Sequence, residues 1–285
     1  MVKGSNRQAQ IPKGSMHVRW SHRHASNPAL DLPVFLLSLP QSQARRTAIE
    51  PRIRMHASNL TLVQPYDGRR PRMERIEGQQ VPANLNVEGY EELDIRLPAT
   101  CLGTTAVQLA VAVSHLKAVL EAYTSGASLA LIMEDDMDIL RWPSAPLLFT
   151  APPDWDALSL YMMGPDADAI YRSPQSLWVP WHTKIFSAGA YIMHRPAMRK
   201  LLQALLPGAA ESGVMRVVDL TPIEPHGCQS ERVMFSQVRA FVCTDFTLVE
   251  SSGESTLDTS HRPMHDATAE LVQQIVQEQG FTLIY

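Results

Sequence analysis

The sequence predicts an α/β protein with a central, mostly parallel sheet flanked by helices. Two short apolar runs, residues 33–39 and 129–133, have the length and composition of buried strands. The segment 104–122 is mostly apolar, which predicts a buried helix that ends at Ser125-Gly126. Strands and a helix joined by short links are typical of a parallel sheet covered by helices.

Further strand-like and helix-like segments alternate along the chain. Residues 60–63 and 187–193 fit strands, and a helix over 196–206 would begin with a proline in its first turn. Residues 45–55 have a helical pattern that Pro51 should interrupt.

Near the C-terminus, Asp266 is placed to cap a last helix. Residues 69–100 are charged, rich in Pro and Gly and weakly patterned, so we expect mostly loop there.

The chain divides into a basic N-terminal segment and one domain. Residues 1–30 carry five basic side chains and no acidic one, without the apolar core of a secretory signal. We interpret them as a disordered arm, with an organelle transit peptide or a cloning remnant as the alternatives. Residues 31–285 are expected to form a single domain. No run approaches the roughly 18 apolar residues of a membrane span. Without a signal peptide, a cytoplasmic location is the simplest expectation, with organelle targeting by the basic arm as the alternative.

Composition excludes several classes of protein. The contents of 45% hydrophobic and 19% charged residues are ordinary for a globular domain. A net charge of −4 argues against a nucleic-acid binder, which needs concentrated Lys and Arg. Cys101, Cys228 and Cys243 are widely spaced and form no C-x-x-C pair, so we expect buried reduced thiols rather than disulfides or a zinc site.

Three consecutive acids follow the apolar run 129–133. Glu134, Asp135 and Asp136 would lie at the exposed carboxyl end of a buried strand, the edge at which open α/β sheets bind ligands. In an extended chain, Glu134 and Asp136 point to one side, about 7 Å apart, and can share a divalent cation. The alternative interpretation is a solvated acidic turn.

An ordered set of segments resembles glycosyltransferase family 25, which includes bacterial lipooligosaccharide and procollagen galactosyltransferases. The similar segments, within about residues 33–260, are Leu39 with Arg45-Arg46, 66–68, 108–118, 131–136, 154–156 with Gly164, and 189–192 with 200–202. Two regions depart from the family: residues 108–111 read Gln-Leu-Ala-Val where the family usually has Glu-Ile-Gly-Cys, and 69–103 match nothing.

The resemblance implies a GT-A fold, a nucleotide-binding α/β sandwich, and an inverting enzyme. Its donor would be a UDP-sugar, usually UDP-galactose, and its acceptor a hydroxyl of a glycan or of a glycosylatable protein. The acids would then hold Mn²⁺ or Mg²⁺ against the diphosphate. Asp136 is expected to contact the metal directly. Glu134 or Asp135 would contact the ribose or support the metal site, with Glu134 also a candidate ligand.

The other site residues are assigned from the resemblance and from their positions in the sequence; each candidate base lies near the end of an apolar stretch, where a cap or a surface turn is the alternative. A distant histidine often completes such sites, and His261 is the candidate, with an exposed loop histidine as the alternative. Inversion requires a base for the acceptor hydroxyl, for which Asp219 ranks first because it resembles a family aspartate. Asp156 and Glu231 are the other two candidates. The residues expected near the nucleotide are Arg45, Arg46, Ser114, His115, Lys117, Glu134 and Asp135.

Plainer roles stay open for several of these residues. A buried His115 could instead bond a backbone carbonyl or a carboxylate, and Lys117 could pair with Glu121. Two other functions also remain. A metal-dependent phosphohydrolase or nuclease would use such acids, although the sequence lacks the second cluster of a two-metal site. A non-catalytic relative would bind a nucleotide-sugar or glycan without turnover.

Overall fold

A central sheet organises the computed structural model of this chain, which describes residues 32–69, 85, 87–101, 103–224, 226–245, 249–251 and 262–278. Within these residues, seven strands form the sheet: β1 (Val34–Leu37), β2 (Leu60–Val63), β4 (Leu129–Glu134), β6 (Ala157–Ser159), β7 (Trp178–Pro180), β8 (Ala190–His194) and β10 (Ala240–Cys243). Two pairs form separate ribbons: β3 (Asp94–Arg96) with β9 (Val217–Asp219), and β5 (Met137–Ile139) with β11 (Val249–Ser251).

The strand order in the sheet is β2-β1-β4-β8-β6-β10-β7. Strand β1 is parallel to β2 and β4, and β8 is antiparallel to both β4 and β6. Strand β6 therefore runs in the same direction as β4, and β10 is parallel to β6. Five of these seven described strands point one way, so the prediction of a mostly parallel sheet flanked by helices is confirmed.

Helices cover both faces of the sheet. They are α1 (Gln43–Arg54), α2 (Ala106–Thr124), α3 (Ala145–Phe149), α4 (Ala167–Arg172), α5 (Arg195–Leu205), α6 (Ala209–Ser212), α7 (Ser230–Phe235) and α8 (Arg262–Glu278). Ile132 packs with α2, α5 and α7 in one core, while Leu131 and Met133 pack with α1 in the other. This alternation is that of an extended strand buried on both faces.

Helix α2 is the best-defined element that the sequence predicts. Its N-terminus is closed by a capping box, in which the Thr105 side chain accepts from Gln108 N and the Gln108 side chain accepts from Thr105 N. Gly68 lies against the first turn, where a Cβ atom would come within 2.5 Å of the Ala106 carbonyl oxygen. Only glycine allows the loop after β2 to approach the helix so closely.

Two helix predictions differ from the structure. Helix α1 continues through Pro51 to Arg54, because Ile53 is buried against the sheet and its carbonyl accepts from two backbone N–H groups beyond the helix. Packing thus offsets the hydrogen bond that proline removes. Helix α8 begins at Arg262, with Pro263 in its first turn, so Asp266 lies inside the helix and does not cap it.

The expectation of three reduced thiols is wrong. Cys101 and Cys228 form a disulfide across 127 residues, with Cα atoms 5.4 Å apart, while Cys243 is free and buried. Sequence spacing cannot show that the turn before α2 meets the turn before α7. Among the described residues, no helix has the length and apolar composition to cross a membrane. Residues 1–30, interpreted as a basic arm, lie outside the described residues.

Candidate functional site

The three acids lie at the carboxyl edge of β1 and β4. Glu134 is the last residue of β4, and Asp135 and Asp136 form the turn into β5. Backbone bonds to both neighbours hold this end, from Glu134 N to Gly189 O at 2.8 Å and from Asp135 N to Leu37 O at 3.1 Å. The expected exposed strand end and the alternative of a solvated turn are both wrong, because Asp135 is 8% exposed and Asp136 is 4% exposed.

Arg45 joins two of the acids. Its Nη2 lies 3.1 Å from Asp135 Oδ1, and its Nη1 lies 3.8 Å from Asp136 Oδ2. Ser38 Oγ donates to the other Asp135 oxygen at 2.6 Å. Glu134 and Asp136 were expected to share one side of the chain, but the backbone turns after Glu134. Asp136 therefore shares Arg45 with Asp135 instead.

Glu134 faces the opposite side, toward α2. Its Oε1 lies 2.9 Å from Nε2 of His115, whose Nδ1 lies 3.2 Å from the Tyr191 hydroxyl. His115 therefore bonds a carboxylate, as one of the sequence-based alternatives anticipated.

Burial raises the free-energy cost of keeping the acids of the cluster ionised. Burial, repulsion from Glu134 and repulsion from Asp135 raise the pKa of Asp136 to about 7, and Arg45 opposes part of this rise. Burial also raises the pKa of Asp135, against the hydrogen bond from Ser38 and the charge of Arg45. Asp136 Oδ1 is buried and has no hydrogen-bond partner among the described residues. A positively charged or proton-donating ligand at this atom would stabilise the cluster.

A cavity of about 410 Å³ lies at the ends of β1 and β2. Its wall includes Gln41, Gln64, Tyr66, Asp67 and Lys117. A narrower cleft, lined by the three acids with Arg45, Ser114 and His115, shares Leu39, Pro65 and Tyr66 with this cavity. A ligand in the cavity would therefore lie next to the cleft, whose own volume of about 30 Å³ has room for a cation or a water-sized group at the acids.

Residues of α2 shape the cavity wall. Ser114 Oγ accepts from Tyr66 N at 2.8 Å and donates to the Ala110 carbonyl in its own helix. Lys117 Nζ donates to Gln64 O at 2.9 Å and lies 5.6 Å from the centre of the Tyr66 ring. The structure thus places Lys117 in the cavity and Ser114 in the narrower cleft, where Ser114 holds the backbone of Tyr66, a residue that lines both.

Two further residues lie near the site: Asp67 in the cavity wall and Arg46 in the first turn of α1. Although burial opposes it, hydrogen bonds from Arg69 and Gln41 lower the pKa of Asp67, which keeps its carboxylate charged. Arg46 Nη2 donates to Pro40 O at 2.9 Å and so braces the turn between β1 and α1.

The three candidate bases lie in different places. Asp156 is level with Leu129 at the start of β6, five residues and roughly 17 Å along the sheet from Glu134. There it accepts from Lys200 Nζ at 3.0 Å and from Arg239 N at 2.8 Å. The strand direction thus puts Asp156 at the opposite edge of the sheet from the acids, which argues against it as the base of a site there.

Asp219 and Glu231 are not in the acidic cluster either. Asp219 ends β9 in the small ribbon, and its Oδ1 accepts from the backbone and side chain of Thr221. Glu231 is buried in the first turn of α7, which packs on α2. Their assignment as bases stays a prediction. His261 lies outside the described residues.

Sequence reasoning missed Ser38 and Tyr191. Ser38 lies near the carboxyl end of the first predicted strand, 33–39, so a parallel arrangement would have placed it at the same edge as the acids. Tyr191 lies within a predicted strand, but only the register, which pairs it with Ile132, brings its hydroxyl to His115.

The cluster suits a cation that a ligand helps to hold. Among the described residues, no group of three or more His, Cys, Asp or Glu side chains is arranged to bind a metal ion by itself. The unpartnered Asp136 Oδ1 is nevertheless the kind of oxygen that Mg²⁺ and Mn²⁺ prefer, and Mg²⁺ usually takes one or two carboxylates plus substrate phosphates. The residues therefore fit a metal shared with a phosphate ligand.

Comparisons with known proteins yield weak structural likenesses. No family model matches the chain, and no curated protein matches it in sequence. A glycosyltransferase involved in the glycosylation of the major capsid of PBCV-1 aligns over 85% of this chain and 100% of its own, at 10% identity and a TM-score of 0.32. The apo WbbM bifunctional glycosyltransferase aligns over 68% of this chain at 13% identity and a TM-score of 0.29, and only 40% of it is covered.

Both of these proteins are described as glycosyltransferases. At TM-scores this low, neither likeness indicates the function of the present chain. Membership of glycosyltransferase family 25 stays a prediction.

Proposed function

We propose that this chain is a glycosyltransferase that moves a sugar from a UDP-sugar to a hydroxyl of a glycan or protein acceptor. The observation that carries the proposal is the state of Asp136, whose buried Oδ1 has no hydrogen-bond partner among the described residues and whose Oδ2 lies 3.8 Å from Arg45 Nη1. Asp136 lines a cleft that shares wall residues with a cavity of about 410 Å³. Galactose is the donor sugar that the sequence resemblance implies.

The cavity has the chemistry to hold a nucleoside next to its phosphates. Tyr66 offers an aromatic face, and Asp67 and Gln64 offer oxygens for hydroxyl groups. Lys117 supplies positive charge in the cavity, and Arg45 supplies it in the cleft. Cationic side chains are needed because a diphosphate keeps its negative charges when it binds.

A divalent cation would complete this arrangement. Asp136 is the residue placed to hold it through Oδ1, with Glu134 as the second carboxylate of the cleft. When bound, Mn²⁺ or Mg²⁺ supplies charge neutralisation as the nucleoside diphosphate leaves. Arg45 already balances Asp135 and contacts Asp136, so it limits the repulsion among the acids before a ligand arrives.

An inverting reaction requires a single displacement at the anomeric carbon, with a base that takes the acceptor proton. Asp219 stays the first candidate for this base and Glu231 the second. Asp156 has no role in this proposal, because it lies at the opposite edge of the sheet from the acids.

The proposal is tested first by calorimetric titration of the purified chain with UDP, with and without Mn²⁺. We expect UDP to bind more tightly with Mn²⁺ present, and we expect UDP release from UDP-galactose or another UDP-sugar in a coupled assay. Cleavage of a model phosphodiester without sugar transfer would support the phosphohydrolase instead. Nucleotide binding without turnover of any UDP-sugar would support the non-catalytic relative, and absence of binding to UDP under both conditions would refute the proposal.

A further inference from the structure

His115 lies at the centre of a buried hydrogen-bonded row that ends on Glu134. The imidazole is 0% exposed, and both of its ring nitrogens have a partner, the Glu134 carboxylate at 2.9 Å and the Tyr191 hydroxyl at 3.2 Å. The three residues come from three elements, α2, β4 and β8. The row therefore connects the face of the sheet that α2 covers with the acidic cleft.

The partners determine which nitrogen carries the proton. When Glu134 is ionised its carboxylate only accepts hydrogen bonds, so Nε2 of His115 donates to it. In the neutral imidazole, Nδ1 is then unprotonated and accepts from the Tyr191 hydroxyl. Burial raises the pKa of Tyr191 well above its usual value, so this hydroxyl keeps its proton and remains a donor.

Packing holds the row in place. The Tyr191 ring contacts Phe235 of α7 edge to face, with ring centres 5.5 Å apart, and the backbone of Tyr191 pairs with Ile132 in the sheet. Ile132 and Glu134 project from the same face of β4 because they are two residues apart. The imidazole therefore meets Glu134 from the α2 side, while Ser38 and Arg45 hold Asp135 from the other side.

We propose that His115, locked as the Nε2–H tautomer by Tyr191, is a positioning residue that orients the Glu134 carboxylate for the bound nucleotide. This role rests on the proposed function, since it concerns the same cleft. Each acid then has its own surroundings. His115 orients Glu134, and Ser38 and Arg45 orient Asp135. Asp136 has an oxygen available for the ligand.

Two variants distinguish a side chain at position 115 that donates a hydrogen bond to Glu134 from one that only occupies the space of the imidazole. In His115→Gln the amide nitrogen can take the place of Nε2 and donate to Glu134, whereas in His115→Asn the shorter amide reaches only the Nδ1 position. We expect His115→Gln to bind UDP in the presence of Mn²⁺ within about threefold of the wild type. For His115→Asn we expect a loss of about tenfold or more, typical of a lost hydrogen bond to a charged group.

A second histidine provides a matched control. His194 also uses both ring nitrogens, with Nδ1 accepting from Ala197 N and Nε2 donating to Trp155 O, but it lies at the opposite edge of the sheet. His194→Asn should leave UDP affinity unchanged. Thermal unfolding of each variant establishes that it is folded.

The outcomes distinguish this inference from the proposed function. If the wild type binds UDP and folded His115→Asn binds equally well, or if both His115 variants lose affinity equally, the positioning role is overturned while the proposed function stands. If the wild type does not bind UDP, the proposed function fails and the role with it. Long-range ¹H–¹⁵N NMR of the imidazole adds a test that needs no nucleotide: an Nε2–H tautomer is expected, and an Nδ1–H tautomer would overturn the inference.

Discussion

Replacing Asp136 with Asn should stabilise the ligand-free protein while it removes the ligand site. The pKa of Asp136 is raised from 3.8 to about 7, chiefly by burial. This rise is roughly three pKa units, and each unit is about 1.4 kcal/mol, so keeping Asp136 ionised above pH 7 costs on the order of 4 kcal/mol of folding free energy. The side chain is 5% exposed, so solvent screens this cost little.

The sign of the pH dependence follows from proton binding. Between pH 4 and 7 the folded state binds the Asp136 proton and the unfolded state has lost it, so stability falls as the pH rises through this window. The Asn variant carries no such charge. Its advantage should be near zero at about pH 4 and should grow to roughly 2–4 kcal/mol by about pH 8, allowing for the lost contact with Arg45.

Urea denaturation of both proteins across this pH range measures the difference directly. Asp138→Asn is a suitable control, because Asp138 lies two residues away but pairs with Arg52 on the surface and should contribute less than about 1 kcal/mol. UDP with Mn²⁺ should stabilise the wild type and not Asp136→Asn. An Asn variant no more stable than the wild type at about pH 8, or an advantage that does not shrink on acidification, would refute the reasoning.

Two further predictions concern structural features near the site and behind it. Ser187 has a φ of 93°, and its Oγ accepts a hydrogen bond from Gly189 N. Because glycine adopts this backbone conformation without strain, Ser187→Gly should be about 1 kcal/mol more stable than Ser187→Ala, the reverse of the usual order. Equal unfolding midpoints of the two variants in urea would contradict strain at this position. The disulfide between Cys101 and Cys228 closes a long loop, so replacing both with Ser should cost about 2–5 kcal/mol. Adding a reductant should then lower the unfolding temperature of the wild type but not that of the double Ser variant. A wild type whose unfolding temperature does not respond to the reductant would show that the bond is absent.

Local patterning predicted the elements that carry the site. The strand at 129–133 and the helix at 104–122 match β4 and α2 closely, because the apolar runs and the Ser125-Gly126 end that predict them act within a few residues. Pro51 misled the prediction of α1, since the burial of Ile53 against the sheet is not visible in the helix sequence.

The site was predicted only in part. The acids at a strand end and the involvement of Arg45 follow from the sequence and its resemblance, but the partner of each acid does not. Asp156 illustrates the reason: both ends of a buried strand look alike in sequence, and only strand direction shows that Asp156 is at the far edge from Glu134.

The sequence alone determined that this chain is an α/β protein with a carboxylate cluster at the end of a buried strand. Apolar runs set strand and helix positions through local burial, and no long-range contact is needed to see them. The tertiary structure decided which side chains meet: Ser38 and Arg45 at Asp135, His115 and Tyr191 behind Glu134, and Cys101 with Cys228. Those contacts depend on strand order, direction and register, which arise from the packing of segments far apart in the chain.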